Sequence, residues 1–237
     1  MAIKGILLDK DGTIVDFWRT WVPINREVAL FAARGDQALA DRLLRHGGQD
    51  PETDRVAAGT VLAAGSVEAI AGAFVEVLGK TSPANLAREI DRIFTEGGAK
   101  HSVLLAGARK AVITLKQRGF RVGLATNDTA GGMQASLARH DLIAHFDFLA
   151  GCDSGFGAKP GPGMVEGFCR ALGIGAGAVA VVGDSVHDLE MARAAGAGLK
   201  VAVLCGTSAR ADLAAHADLV VADVAALLHE PQFARAA

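Results

Sequence analysis

The chain has 237 residues, 51% of them hydrophobic, with 24 basic against 26 acidic side chains and a formal charge of -2. That is long enough for one large α/β domain, or a core with an insert, and too apolar for a disordered tail protein. Charges of one sign are not clustered, which excludes a nucleic-acid surface and a polybasic membrane anchor, and no stretch is apolar for long enough to span a bilayer.

The first predicted element is a strand: Ile3 to Leu8 is a short apolar run that ends on Asp9, as buried parallel strands do when they deliver a side chain to a site. Asp9-Lys10-Asp11-Gly12-Thr13 follows. Two carboxylates this close repel each other. That suits a division of labour in which one stays ionised as nucleophile and metal ligand while the other shuttles a proton. A turn or helix cap after a strand is the plainer reading of the same residues. From Phe17 to about Ser102 the apolar spacing is helical throughout. Val67, Ile70, Ala71, Phe74 and Leu78 form one stripe, and Leu86, Ile90, Ile93 and Phe94 another. Glycines at 47–48, 79 and 97–98 punctuate the segment.

From about residue 105 strand and helix alternate. A helix is predicted over 108–118, with Ala111, Val112 and Leu115 on one face and Gly119 as its stop. The strand 121–125 runs into Thr126-Asn127-Asp128, whose hydroxyl and amide could hold phosphoryl oxygens or serve as ordinary loop and capping groups. Pro160 restrains Lys159 to extended geometry, and a helix over 163–172 follows. A lysine held there offers a countercharge for phosphate and aspartate; on its own it would be a solvated charge. The strand 179–182 ends on Gly183-Asp184, with Asp188 four residues on at a helix start. Such carboxylates are the hard oxygen ligands magnesium prefers, although helix capping also accounts for Asp188. Apolar runs at 200–204 and 219–221 complete the strands.

The predicted fold class is α/β: a doubly wound, Rossmann-like parallel sheet with an inserted all-helical cap. The core is expected over 1–16 and 103–237 and the cap over 17–102. Open α/β sheets bind ligands at the carboxyl edge of their strands, and the four polar elements all fall at such ends, so together they read as one site.

These elements resemble the four motifs of the haloacid dehalogenase-like hydrolase superfamily, matched as Asp9-x-Asp11-Gly12-Thr13, Thr126-Asn127, Lys159-Pro160 and Gly183-Asp184-(x)3-Asp188. Pro162, Leu172-Gly173 and Ala192-(x)2-Ala195-Gly196 resemble the phosphoglycolate phosphatase-like branch. The resemblance implies a Mg2+-dependent phosphoric monoester hydrolase for a small phosphorylated metabolite, with 2-phosphoglycolate the first to try. Asp9 would form the aspartyl-phosphate and Asp11 would protonate the leaving alcohol, then activate water. Mg2+ would be held by the Asp9 carboxylate, the Asp11 backbone carbonyl and Asp184. Thr126, Asn127 and Lys159 would neutralise the transferring group, with Asp188, Gly12 and Thr13 in support. The alternatives are a phosphosugar mutase like β-phosphoglucomutase and a non-catalytic module that binds a phosphorylated ligand. The intact site speaks against the module. Asp11 and Asp184 speak against a dehalogenase, which needs neither leaving-group acid nor metal.

Lys10 stands where the family usually has an apolar or aromatic residue, and its stem is expected to snorkel toward solvent. Trp18 and Trp21 are expected to pack between cap and core more than to line a substrate entrance. Arg19 is read as a surface arginine or as a bidentate partner for a substrate carboxylate. Magnesium chemistry does not need His187, and Cys152 is expected to be a buried filler. Three scattered cysteines without a C-x-x-C pair, and no leader pattern at Met1-Ala2-Ile3-Lys4, predict a soluble cytoplasmic protein, with monomer and homodimer both open.

Overall fold

The structure, a computed structural model, describes residues 2–236. Strand β1 (Gly5–Leu8) is buried along its whole length, the state of a strand covered on both faces. The chain then leaves the sheet. The outgoing and returning segments lie antiparallel: Asp16 N donates to Val103 O at 2.8 Å, and Leu105 N donates to Ile14 O at 2.9 Å.

Between these crossings lie five helices: α1 (Phe17–Ala32), α2 (Gln37–Gly47), α3 (Val61–Ala64), α4 (Val67–Leu78) and α5 (Leu86–His101). Asp16, Asp36 and Ser66 cap α1, α2 and α4 by accepting backbone N–H groups. The inward faces of these helices form a core of their own, centred on Val28, Leu43, Phe74 and Ile90. This is the inserted helical cap.

The remaining elements follow in alternation: α6 (Ala108–Gln117), β2 (Arg121–Ala125), α7 (Ala130–Ala138), β3 (Phe148–Ala150), α8 (Gly163–Leu172), β4 (Val179–Gly183), α9 (Val186–Ala194), β5 (Leu199–Val203), α10 (Arg210–Ala214) and β6 (Leu219–Val221). The sheet runs β3-β2-β1-β4-β5-β6 with every pairing parallel. Side chains alternate across it. Ile6 and Leu8 pack with Val112, Leu115 and Leu124 on one face, and Leu7 packs with Val165, Phe168 and Val181 on the other.

β3 is the strand that sequence analysis did not anticipate. Three residues between Asp147 and Gly151 are too few to show a period. Parallel pairing of Gly123 with Phe148 through Ala125 with Ala150 defines it instead. Among the described residues no helix is long and apolar enough to cross a membrane.

Candidate active site

β1 lies between β2 and β4 at the middle of the sheet, so the C-terminal ends of these three strands meet. They carry Asp9, Thr126 and Asp184 into one cleft beneath the cap, which Asp11, Asn127, Lys159 and Asp188 also line. The structure therefore brings together every one of the four polar elements.

Lys159 is held by its backbone. Its N–H donates to Asn127 Oδ1 at 2.8 Å, and Asn127 Nδ2 donates back to the Lys159 carbonyl at 3.3 Å. The same Nδ2 donates to the carbonyl of Ala64 on α3 at 3.0 Å, tying this loop to the cap. The Lys159 ammonium lies 2.6 Å from Asp9 Oδ1 and 2.6 Å from Asp188 Oδ1. Burial alone would lower its pKa, but Asp188 and Asp9 outweigh that and hold it above the usual lysine range.

Asp188 is also the third residue of α9. Its Oδ2 accepts from the Ser185 backbone and hydroxyl, completing a capping box. Capping and pairing with Lys159 are thus both true of one side chain, each using one oxygen. Thr126 Oγ1 accepts from Asp128 N at 3.1 Å, so its proton is free for another acceptor.

Burial pushes the Asp9 carboxyl up to about 7, with Lys159 pulling it down and Asp188 and Asp11 pushing it further up. Burial also raises Asp184 well above the usual carboxylate range, and Asp9 and Asp188 add to this. Asp184 Oδ2 accepts the backbone N–H of Thr207 at 3.1 Å. Asp9 Oδ2 and Thr13 Oγ1 are buried without any partner. Oxygens of Asp9, Asp184 and Asp188 lie within 4.8 Å of one another. Three buried carboxylates face one ammonium, and one carboxylate oxygen has no donor, so a hard divalent cation fits this donor set. Gly12, at φ 82°, makes the close approach possible. A Cβ there would sit 2.6 Å from Asp184 Oδ2.

Lys10 corrects the expectation of a solvated side chain. It is 0% exposed, with its ammonium 2.7 Å from Asp128 Oδ2, 3.1 Å from Asp11 Oδ2 and 4.6 Å from the Trp21 ring centroid. Two carboxylates and an aromatic face inside the protein replace the water that snorkelling would have found. Burial lowers its pKa, and Asp11 and Asp128 more than restore it. Trp21 does two jobs: it packs edge-on against Phe94 and lines the cleft, where its indole Nε1 donates to Asp11 Oδ1 at 2.5 Å. Trp18 is 36% exposed and lies edge-on to Phe17. Arg19 is exposed and lies outside the cleft lining. His187 lines the cleft, with its Nδ1 buried and unpartnered. Cys152 is half-buried, and burial pushes its thiol up to about 11, which makes a poor nucleophile.

Sequence analysis missed Asp128 as the partner of Lys10 and Thr207 as the donor to Asp184. A signal existed for Thr207: the run 200–204 ends in Cys205-Gly206-Thr207, the same strand-to-polar pattern seen at the other ends. None existed for Asp128, which reads as loop.

Residues 3–196 match the family model described as haloacid dehalogenase-like hydrolase. A phosphoglycolate phosphatase from Shigella sonnei (strain Ss046) is 26% identical over 208 residues, covering 82% of this chain and 79% of that protein. A probable phosphatase, IndB, from Dickeya dadantii (strain 3937) is 33% identical over 94 residues, or 40% of this chain; the match spans only 41% of that relative's length. Among solved structures, a predicted phosphoglycolate phosphatase from Haemophilus somnus 129PT superposes with a TM-score of 0.73 at 20% identity, covering 96% of this chain and 97% of that one. At that identity the likeness is one of fold.

Proposed function

The chain belongs to the haloacid dehalogenase-like hydrolases, and from that premise we propose that it is a magnesium-dependent phosphatase of small phosphorylated metabolites that works through an aspartyl-phosphate on Asp9. The observation that carries this reading is Lys159, whose ammonium bridges Asp9 and Asp188 at 2.6 Å each beside the unpartnered Asp9 Oδ2.

In the proposed reaction the Asp9 carboxylate attacks phosphorus, and the bond from phosphorus to the leaving oxygen breaks as Asp11 gives that oxygen a proton. Asp11, now ionised, takes a proton from water as the water attacks phosphorus. The bond from phosphorus to Asp9 breaks, and inorganic phosphate leaves. The Thr126 hydroxyl and the Asn127 backbone N–H donate to the phosphoryl oxygens, the Asn127 amide being engaged with Ala64 and Lys159, and Lys159 balances their charge throughout. The Asp9 and Asp184 carboxylates and the Asp11 backbone carbonyl would hold Mg2+, with Asp188 orienting Lys159. Bound there, the ion supplies Lewis-acid stabilisation of phosphoryl charge. The cap covers the leaving group and excludes water, which favours a small ester over a phosphoprotein.

The test is phosphate release from a panel of phosphorylated metabolites, with 2-phosphoglycolate as reference, in Mg2+ and then in chelator. Metal-dependent release from small esters without a bisphosphate primer supports a phosphatase over a mutase. Release from phosphoprotein alone sinks the proposal.

A further inference from the structure

The cleft has a cavity volume of about 90 Å3, several times what one water molecule needs. Its two walls differ in chemistry. The core wall carries five carboxylates: Asp9, Asp11, Asp128, Asp184 and Asp188. The cap wall is apolar, built from Phe17, Trp21, Val61, Leu62, Ile70 and Phe94. Asn25 is the one amide on it, and its Nδ2 already donates to Gln49 Oε1 at 3.0 Å.

Cations are scarce and engaged. Among the described residues that line the cleft, Lys159 is the sole lysine or arginine, and Asp9 and Asp188 share it. Lys10, just behind the lining, is held by Asp128 and Asp11. Arg19, the cap arginine nearest in sequence to the Asp9 loop, is exposed and is not one of the lining residues.

We infer that the phosphoester taken by this site has an uncharged, apolar carbon body, an alkyl or aryl alcohol monophosphate, and that esters with a second anion on the leaving group are discriminated against. The inference rests on the phosphatase reading above and narrows it. A carboxylate on the leaving group would be desolvated against hydrocarbon, near five aspartates that Lys10 and Lys159 offset only in part, with no lysine or arginine left to pair with and His187 the one imidazole in the lining. A hydrocarbon body would instead exchange water for Phe17, Leu62, Ile70 and Phe94.

The experiment compares kcat/KM for n-butyl phosphate and 2-phosphoglycolate with the Mg2+-loaded full chain. Butanol is the poorer leaving group, so a preference for its ester cannot come from intrinsic reactivity. The expected ratio is at least about tenfold in favour of n-butyl phosphate. Val61→Arg, which places a cation on the half-buried mouth of the cap wall, is expected to narrow the ratio, chiefly through KM for 2-phosphoglycolate. The unmodified enzyme decides the matter if that variant misfolds. Phosphate release with 2-phosphoglycolate equal or preferred overturns the inference and leaves the phosphatase reading standing. No release from either ester, or from the wider panel, by folded Mg2+-loaded protein overturns both.

Discussion

The indole Nε1 of Trp21 donates to Asp11 Oδ1 at 2.5 Å, so a cap helix holds the side chain proposed as acid and base. Lys10 takes the other oxygen of the same carboxylate at 3.1 Å. The proposed proton carrier is thus aimed by one residue of the cap and one of its own loop. Trp21→Phe keeps an aromatic ring near Phe94 and removes the N–H donor together with part of the ring that packs on Phe94 and Lys10. One orienting hydrogen bond is worth about 0.5–1.5 kcal/mol, so kcat is expected to fall roughly threefold to tenfold, and the smaller buried ring lowers the melting temperature as well. Steady-state phosphate release and a thermal melt check both; undiminished kcat removes Trp21 from the machinery.

Asp9→Asn is nearly isosteric and removes the attacking carboxylate. Turnover is expected below about 10⁻³ of the parent rate, with the circular dichroism spectrum intact. Phosphate release at the parent rate would rule out Asp9 as nucleophile.

Lys10→Met tests the buried charge cluster. Lys10 is 0% exposed and the side chain of Asp128 7%, so removing the ammonium strands a buried carboxylate. Breaking a buried pair from one side costs about 3–5 kcal/mol, read as a lower urea midpoint. Adding Asp128→Asn to the variant is expected to recover part of the loss, because the stranded charge goes too. A double variant no more stable than the single one contradicts the pairing.

Metal binding is expected to register without turnover. Three carboxylates within 4.8 Å of each other should favour a state with a divalent cation, and any ligand bound only by the folded chain raises its melting temperature. Mg2+ should therefore stabilise the protein and chelator should reverse this. Asp184→Asn should abolish the shift. A shift that survives in that variant places the ion elsewhere.

Asp147 predicts an acid-linked contribution to stability away from the cleft. Burial alone would raise its carboxyl, but Lys116, 2.5 Å away, and the Val122 N–H lower it below the usual 3.8. A depressed carboxylate stabilises the fold fully above its ordinary value, and that contribution is lost as pH falls from about 3.8 through the lower folded value. Urea midpoints across this window should decline less steeply for Asp147→Asn than for the parent. Equal slopes would mean Asp147 is not linked.

The motif residues were legible because chemistry at a strand end leaves a local mark: an apolar run that stops on a polar side chain. Asp9, Thr126 and Asp184 all carry it, as does the helical period of the cap in Phe74 and Ile90. β3 was not legible, since a three-residue strand is defined by its neighbour β2 and not by its own pattern. Lys10 is the instructive failure. A lysine beside two exposed-looking acids reads as solvated, and nothing within a few residues announces that Asp128, 118 positions away, will supply its partner.

The amino-acid order by itself thus determined which elements form, β3 excepted, in what alternation, and which polar side chains stand at strand ends, because propensity and periodicity act over a few residues. Only the tertiary structure decided which charges neutralise one another and what chemistry faces the cleft. Asp128 on Lys10, Thr207 on Asp184 and the apolar cap wall opposite five aspartates all depend on residues far apart in the chain. Coulomb and desolvation energies depend on separation in space and on burial, and chain folding alone sets those distances.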